Sequence, residues 1–355
     1  MVIPTSMPSI DEEMEKEVIR ALREEFFVGG ESVKKFEEDF ARYVGVKHAV
    51  AVSSGTDALV IALRALNIKN EVITTPMTFV ATAESIVLAG AKPVFADIDA
   101  KTWNIHPREI KKAINDKTKA IMPVHLYGLP VDMKEIMEIA EDQNLYVIED
   151  CAQAHGAEHD GRKVGSIGHV GCYSFYSTKN MTVAGNGGMI VTNDEKIAEI
   201  SKLLREHGGS NYSKYIGYNA RMNTINAAFG RVQLKQLDKW IKRRREIAKL
   251  YSDELKDIEE IKLPITSNEH VYHLFVMEAK RRDELREYLR SKGIFCGIHY
   301  PIPVHLLAPY REYAMKGYPN AEYHAETALS LPMYPDLKND EVKMIAGEIK
   351  KFYGE

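Results

Sequence analysis

The sequence predicts an α/β protein with a mostly parallel central sheet sandwiched by helices and a smaller α+β domain at the C-terminal end. Three observations carry this prediction. Short runs rich in Val and Ile alternate with segments of helical spacing between residues 46 and 192. Longer helical patterns come next, and the sequence from about residue 260 mixes strand and helix patterns. Alternation of strands and helices is typical of a parallel sheet covered on both faces.

The predicted elements follow one another in a regular order. Seven apolar runs predict strands at residues 48–53, 71–75, 93–96, 120–124, 145–149, 171–176 and 188–192. Helical spacing predicts helices at residues 57–66, 80–88, 107–114, 133–142, 195–206 and 224–250. No repeat or Pro-rich linker interrupts the chain. We therefore expect a large domain at residues 1–250, which includes an N-terminal arm, packed tightly against a small domain at residues 251–355.

Composition limits the classes of partner. The 355 residues are 45% hydrophobic and 28% charged, with a formal net charge of −4. This balance argues against nucleic acid or an anionic membrane as the main partner. There is no apolar run of membrane-spanning length, no signal-peptide pattern, and no pairing pattern among the three cysteines, so we expect a cytoplasmic protein. The basic run at residues 242–245 is interpreted as a solvated helix face.

Ligands of open parallel sheets bind where the strands end. The first predicted strand ends in Ser53-Ser54-Gly55-Thr56-Asp57, which leads into a helix. Backbone N–H groups at a helix N-terminus, together with two hydroxyls, suit a phosphate, although an ordinary helix cap has the same pattern. The chain has neither a Walker motif nor a G-x-G-x-x-G motif, so neither common nucleotide-binding loop is indicated.

Two further strand ends carry chemically suitable side chains. Phe79 follows the second predicted strand, where an aromatic ring could stack on a planar cofactor, although a lone Phe is more often part of a core. Asp150 follows the fifth strand, and Gln153 lies three residues further on. A carboxylate at this place can keep a pyridine nitrogen protonated, or it can simply cap the next turn.

A lysine lies in a polar turn between the last two predicted strands. Lys179 ends the run at residues 174–179 and precedes Gly187-Gly188. Partial desolvation would lower its pKa and favour an imine with an aldehyde. A phosphate cradle, a ring stacker, a carboxylate for a ring nitrogen and an imine lysine are together what pyridoxal 5′-phosphate (PLP) requires.

A separate pattern has the spacing of metal ligands. Cys151, His155 and His159 are four residues apart and would share one face of a helix. Gly156 and Gly161 interrupt such a helix, and no second pair of ligands accompanies the three residues. We therefore expect no metal site here.

Ordered motifs extend over nearly the whole chain. They are Phe27-Val28-Gly29-Gly30, residues 33–46, residues 52–59, residues 147–157, residues 174–179, residues 217–223 and Gly297-Ile298-His299-Tyr300-Pro301. With these motifs the chain resembles the DegT/StrS family of PLP-dependent nucleotide-sugar aminotransferases, within the aspartate aminotransferase fold type I superfamily. The fold implied is that of a fold type I PLP-dependent transferase.

The resemblance implies a role in cofactor binding for each matching residue. The positions implied for the phosphate, the ring and the Schiff base are Gly55, Thr56, Ser174, Phe79, Asp150, Gln153 and Lys179. Within this set, Lys179 would form the imine and Asp150 would pair with the pyridine nitrogen. Asn219 would reach the PLP phosphate of a neighbouring subunit, which implies a homodimer with shared active sites. Arg221, His299 and Tyr300 are weaker candidates for substrate contacts.

The activity implied is transfer of an amino group, with glutamate as donor, to a nucleotide-linked keto sugar for amino-sugar and surface-polysaccharide biosynthesis. Residues 217–223 and 179–182 are more similar to relatives that act at C4 of the sugar than at C3, although Asn186 and Ala220 depart from the family pattern. Three alternatives stay open: a cyclitol-ketone aminotransferase, a PLP-dependent sugar dehydratase, and a non-catalytic regulator on the same fold. The dehydratases carry His at the place of Lys179, and a regulator has no need of an imine lysine.

Overall fold

A computed structural model describes residues 2–209 and 214–354. The strands in these residues are β1 His48–Val52, β2 Glu71–Thr74, β3 Lys92–Phe95, β4 Thr118–Ile121, β5 Tyr146–Asp150, β6 Glu158–His159, β7 Arg162–Lys163, β8 Val170–Ser174, β9 Gly188–Thr192, β10 Ile261–Lys262, β11 Phe275–Ala279 and β12 Ala328–Leu331. The α-helices are α1 Glu12–Glu24, α2 Glu31–Val44, α3 Gly55–Ala65, α4 Ala81–Leu88, α5 Pro107–Ala113, α6 Met133–Asp142, α7 Glu195–Arg205, α8 Thr224–Leu255, α9 Arg282–Ser291, α10 Pro319–Thr327 and α11 Asn339–Tyr353.

The central sheet has seven strands in the order β1-β9-β8-β5-β4-β2-β3. Strands β3, β2, β4, β5 and β8 pair in parallel, and β9 lies antiparallel between β8 and β1. The predicted fold class, a mostly parallel sheet sandwiched by helices, is therefore confirmed. Because β9 runs against its neighbours, the loop from β8 to β9 leaves and returns at the edge where the parallel strands end. That edge is where open parallel sheets bind ligands.

Both faces of the central sheet are covered. Along β1, Val50 and Val52 pack into an apolar cluster with residues of α3, α4 and α7. Ala49 and Ala51 point the other way, into a second cluster with residues of α2 and α8. This alternation with period two is what a strand between two helical layers produces, and it explains why the strand sequence is almost wholly apolar.

Helix starts are set by local polar side chains. Asp11, Ser54, Asp132 and Asp194 each precede a helix, and each side chain accepts a hydrogen bond from a backbone N–H of the first turn. The cap at Ser54 matters most for function, because it begins α3 directly after β1 at the ligand-binding edge.

The C-terminal part contains a three-stranded antiparallel sheet in the order β10-β11-β12. Its core combines β11 and β12 with α9, α11 and the last turns of α8, and Ile3 from the N-terminal arm joins the same core. The proposed domain boundary after residue 250 lies inside α8, which has 32 residues and is about 48 Å long. Among the described residues, no helix combines the length and the hydropathy that crossing a bilayer requires.

Candidate active site

A cavity of about 560 Å³ opens at the carboxyl edge of the central sheet. Nine residues singled out from the sequence line it: Gly55, Thr56, Phe79, Asp150, Gln153, Ser174, Lys179, His299 and Tyr300. They come from four strand ends and from the C-terminal part of the chain, so the fold brings together residues that are up to 245 positions apart in sequence (300 − 55). Asn219 and Arg221 are not among the lining residues.

The start of α3 forms one end of the cavity. The hydroxyls of Ser53 and Ser54 donate to Oδ2 of Asp57 at 2.5 and 2.7 Å, so these two hydroxyls are engaged within the loop. A Cβ atom built on Gly55 would lie only 2.6 Å from Cβ of Ser174, which shows how closely the backbone at the start of α3 approaches the end of β8. The backbone N–H groups of the helix start and the Thr56 hydroxyl provide the donors that suit an anion here.

Asp150 lies at the carboxyl end of β5 and is 4% exposed. Its Oδ2 accepts a hydrogen bond of 2.8 Å from the Thr82 hydroxyl, and its Oδ1 accepts one of 3.1 Å from the Ala152 backbone N–H. Burial raises the pKa of the Asp150 carboxyl, and these two donors and the nearby Lys179 only partly oppose that effect. The carboxylate is therefore oriented but short of positive charge, so it suits a cationic ring nitrogen as a partner.

Lys179 lies in the loop between β8 and β9, and its backbone N–H closes a turn with the Tyr176 carbonyl at 2.9 Å. Burial lowers the pKa of Lys179 to about 8, against the attraction of Asp150. About one tenth of the amine is consequently uncharged at pH 7, far more than for an exposed lysine, and the uncharged amine is the form that attacks a carbonyl carbon.

Aromatic, amide and imidazole side chains also line the cavity. Phe79 is 54% exposed and faces the cavity, so it is not part of a core; its ring lies 5.9 Å from the ring of Tyr300. Nε2 of Gln153 donates to the Tyr300 hydroxyl at 2.9 Å. Nδ1 of His299 lies 2.8 Å from the Ser330 hydroxyl, and burial lowers the pKa of His299 to about 4, which keeps the ring neutral.

Thr82 and His273 also line the cavity, but the sequence interpretation did not single them out. Thr82 lies in the first turn of α4, and His273 lies just before β11, so neither follows a strand of the central sheet. The pattern of polar residues at strand ends therefore points to neither of them, since one lies at a helix start and the other in the C-terminal part of the chain.

The basic run at residues 242–245 is not simply a solvated helix face, as the sequence pattern indicated. Arg244 is 3% exposed, and its guanidinium donates to the carbonyls of Tyr272, His273 and Met333 at 3.1 to 3.3 Å. The helix pattern failed here because α8 packs against the segment before β11 as well as against the sheet. Arg244 thereby supports the backbone that carries His273 into the cavity.

Asn219 and Arg221 lie beside the end of β1, outside the cavity. The Ala220 carbonyl accepts the Ser53 backbone N–H at 2.9 Å, so the segment runs along the start of the α3 loop. The Arg221 guanidinium donates to Oδ1 of Asn219 at 2.9 Å and to Glu206 at 3.2 Å. Asn219 is exposed, so its amide is accessible to a second chain.

The spacing of Cys151, His155 and His159 does not produce one face of a helix, because β6 begins at Glu158 and the preceding residues form turns. The described residues contain instead a buried group of His125, Glu149 and Cys151, whose potential ligand atoms lie within 4.8 Å of one another.

Hydrogen bonds occupy the Glu149 carboxylate in that group. It accepts three backbone N–H groups from residues 165–168, at 2.6 to 2.9 Å, and lies 3.0 Å from Nε2 of His125. Nδ1 of His125 accepts the Val131 N–H, so Nε2 carries the proton and donates to Glu149. This bonding fixes the turn beside Asp150 and leaves the group with a structural role.

Comparisons with known proteins agree with the geometry. The sequence profile of the DegT/DnrJ/EryC1/StrS aminotransferase family matches residues 8–350. A UDP-N-acetyl-3-dehydro-alpha-D-glucosamine 3-aminotransferase from Acidithiobacillus ferrooxidans is 41% identical over 92% of this chain and 89% of the relative. A pleiotropic regulatory protein from Geobacillus stearothermophilus is 42% identical over 96% of both chains. The crystal structure of DesV from S. venezuelae has a TM-score of 0.94 at 36% identity, with 99% of each chain covered.

Proposed function

The chain belongs to the DegT/DnrJ/EryC1/StrS aminotransferase family, and on this premise we propose that it transfers an amino group from glutamate to the ketone of a nucleotide-linked sugar. Aminotransferases of this family depend on PLP, and relatives of this chain act on nucleotide-linked sugars. The observation that carries the proposal is that Lys179, with its lowered pKa, shares one cavity with the buried Asp150 and the glycine-lined start of α3.

The residues of the cavity fit PLP. The close approach of Gly55 to Ser174 leaves backbone N–H groups and the hydroxyls of Thr56 and Ser174 for a phosphate. Asp150 offers an oriented carboxylate that is underpaired with positive charge, as a pyridinium nitrogen needs. Phe79 presents an exposed ring face on the cavity wall, where it would stack on the cofactor ring.

Bound PLP supplies an aldehyde and an electron-accepting ring. In the proposed reaction, Nζ of Lys179 would hold the cofactor, and the amine of Lys179 would take up the proton that the α-carbon of the amino donor loses. Asp150 would keep the ring nitrogen protonated, and Gln153 would contact the ring hydroxyl. His299 and Tyr300 would contact the substrate, since both line the cavity.

We propose further that two copies of the chain form a homodimer with shared active sites. Asn219 lies outside the cavity of its own chain and is accessible, as expected of a residue that reaches the phosphate bound by a partner. In such a dimer, Arg221 would lie at the mouth of the partner's cavity, where a nucleotide diphosphate needs cationic partners. A cytoplasmic location suits the free cysteines Cys151, Cys172 and Cys296, which stay reduced there.

The position of amination has two candidates. Residues 217–223 and 179–182 favour a ketone at C4, and this is the position that we propose. A ketone at C3 is the second candidate, because the Acidithiobacillus ferrooxidans relative at 41% identity is named for a 3-dehydro sugar. Either product would supply amino-sugar and polysaccharide biosynthesis.

A competition experiment tests the proposal. Enzyme that carries the aminated cofactor is mixed with equal amounts of 3-keto and 4-keto nucleotide sugars under single-turnover conditions, and the amino sugars are identified by mass. Faster consumption of the 4-keto sugar is expected. Faster consumption of the 3-keto sugar would overturn the C4 choice and keep the sugar aminotransferase. Failure with every nucleotide sugar, alongside amination of a cyclitol ketone in a parallel reaction, would overturn both.

Two further alternatives are tested by adding glutamate to the PLP-loaded enzyme before the keto sugar. A dehydratase would release water from the sugar and would not bleach the yellow cofactor with glutamate. A regulator, which the name of the Geobacillus stearothermophilus relative raises, would bind without turnover. Bleaching by glutamate and formation of an amino sugar would contradict both alternatives.

A further inference from the structure

Tyr127 links the cofactor-binding side of the cavity to the substrate-binding side. It lies in the short helical turn that follows β4, with a backbone φ of +59°, and its side chain is 2% exposed. Residues other than glycine rarely adopt this left-handed backbone conformation, so surrounding contacts must hold Tyr127 in place. Its backbone N–H and its phenol point to two different segments of the cavity.

The backbone N–H of Tyr127 fixes the orientation of the Gln153 amide. It donates to Oε1 of Gln153 at 2.6 Å. Because a backbone N–H can only donate, Oε1 must be the oxygen at this contact, and Nε2 must be the group that points to the Tyr300 hydroxyl at 2.9 Å. Two of the cavity-lining side chains are thereby oriented by one backbone group.

The phenol of Tyr127 holds the segment that carries His299 and Tyr300. Its hydroxyl donates to the His299 backbone carbonyl and lies 3.0 Å from Nε2 of His324 in α10. A carbonyl oxygen only accepts, so the single phenol proton is the one that ties the segment to Tyr127.

A buried network in the C-terminal part fixes the ring of His324 beside that phenol. Nδ1 of His324 lies 2.8 Å from Oε1 of Glu278 in β11, and a carboxylate only accepts, so Nδ1 donates. Glu278 also accepts the indole N–H of Trp103 at 2.8 Å and the ammonium of Lys262 at 3.0 Å. The network therefore connects the C-terminal sheet to the large-sheet side of the cavity through Tyr127.

We propose that Tyr127 is a positioning residue: its backbone orients Gln153 toward the cofactor, and its phenol holds the His299–Tyr300 segment where the sugar binds. This inference rests on the proposed function, because it assigns the two segments to cofactor and sugar. The backbone N–H of Tyr127 serves cofactor binding and its phenol serves sugar binding. Removal of the hydroxyl alone should therefore affect only the binding of the sugar.

The test uses the PLP-loaded enzyme and Tyr127→Phe, which keeps the ring and the backbone N–H and removes the hydroxyl. The KM for the keto sugar should rise about tenfold, the factor that corresponds to one lost net hydrogen bond. The dissociation constant of PLP and the rate of the half-reaction with glutamate should stay within about twofold of wild type. Hydrogen exchange of residues 298–304 should become about tenfold faster.

Tyr251→Phe is the matched control. The Tyr251 hydroxyl is also buried and also donates to a backbone carbonyl, that of Pro332 at 3.1 Å, but it belongs to the C-terminal core and not to the cavity. Both variants should melt a few degrees below wild type. The Tyr251 variant should keep the KM and the exchange of residues 298–304 unchanged.

The inference is overturned if Tyr127→Phe keeps the wild-type KM and the wild-type exchange of residues 298–304, or if Tyr251→Phe changes both by the same factors. PLP affinity and hydrogen exchange need no turnover. They therefore judge Tyr127 even if the wild-type enzyme aminates none of the nucleotide sugars, a result that would overturn only the proposed function.

Discussion

The Thr82 hydroxyl donates a hydrogen bond of 2.8 Å to Oδ2 of Asp150, and both residues line the cavity. The Thr82 hydroxyl also lies 2.8 Å from the Thr78 hydroxyl. Two linked hydroxyl groups at the start of α4 therefore orient the Asp150 carboxylate at the end of β5. The start of α4 and the end of β5 thus set the orientation of the Asp150 carboxylate together.

Replacement of Thr82 by Val should misorient that carboxylate. The variant removes one hydrogen bond to a charged group, so we expect the half-reaction with glutamate to slow about tenfold or more, while the fold persists. Stopped-flow bleaching of the cofactor measures this rate. Thr74→Val is the control, since its hydroxyl donates to the Met122 carbonyl inside the sheet. Equal rates in the Thr82 variant and wild type would contradict the role of this contact.

Lys179→Ala should abolish covalent attachment of the cofactor. The uncharged amine supplied by the lowered pKa of Lys179 is lost, so turnover should fall at least about 10³-fold while the chain stays folded. Borohydride reduction followed by mass spectrometry should show attached cofactor on the wild-type chain and none on the variant. Full steady-state transamination by the variant would show that Lys179 is not the residue that forms the imine with the cofactor.

Asp150→Asn separates stability from function. Burial raises the pKa of Asp150 in the cofactor-free chain, so the fold favours the protonated carboxyl. The free energy of unfolding then falls as pH rises from the unfolded pKa through the folded one, and it stays reduced above. At pH 8 the cofactor-free variant should therefore melt no lower than wild type, whereas its glutamate half-reaction should be crippled. If calorimetry finds that the cofactor-free variant melts several degrees below wild type, the charged Asp150 carboxylate does not destabilise the fold as expected.

Acid should destabilise the fold through buried histidines. Burial lowers the pKa of His155 and His270 to about 3 and that of His299 to about 4, so the folded chain keeps all three neutral. The unfolded chain binds their protons near pH 6.5, so the unfolding free energy should decline as pH falls from about 6.5 toward 4, by about 1.4 kcal/mol per pH unit for each histidine.

His270→Asn provides the check on that slope. The amide oxygen can replace Nδ1 as acceptor for the Tyr272 N–H, which is 3.0 Å away. Urea unfolding between pH 6.5 and 4.5 should show a slope that is smaller by about 1.4 kcal/mol per pH unit, one proton fewer. An unchanged slope would mean that His270 does not titrate between the two states as proposed.

Mixing experiments test the shared active site. If Asn219 serves a partner's cofactor, Lys179→Ala and Asn219→Ala chains mixed together should form some dimers with one improved site, and activity should exceed that of either variant alone. Sedimentation of the native protein should give the mass of a dimer. A monomeric mass at the concentrations of the assay would rule the shared site out.

The sequence predicted the sheet and the strand-end residues because both follow from local patterns. Apolar runs with short polar ends placed Asp150 and Lys179 at the edge where the structure has them. Tyr127, His273 and Thr82 escaped, since their roles arise from contacts between segments far apart in sequence. Arg244 was misjudged for a related reason: a charged residue on a helix is solvated only if nothing packs on that face.

The unbroken course of α8 has a consequence for how the chain unfolds. Ala227 and Leu234 in its N-terminal part belong to the apolar cluster beside the central sheet, and Tyr251 and Leu255 near its end belong to the C-terminal core. Because α8 packs in both cores, unfolding of one core should destabilise the other. Fraying at either end of the helix removes packing that supports the next turns. The cofactor-free chain should therefore melt in a single calorimetric transition, and a fragment ending at residue 250 should be an aggregation-prone species rather than a free-standing domain.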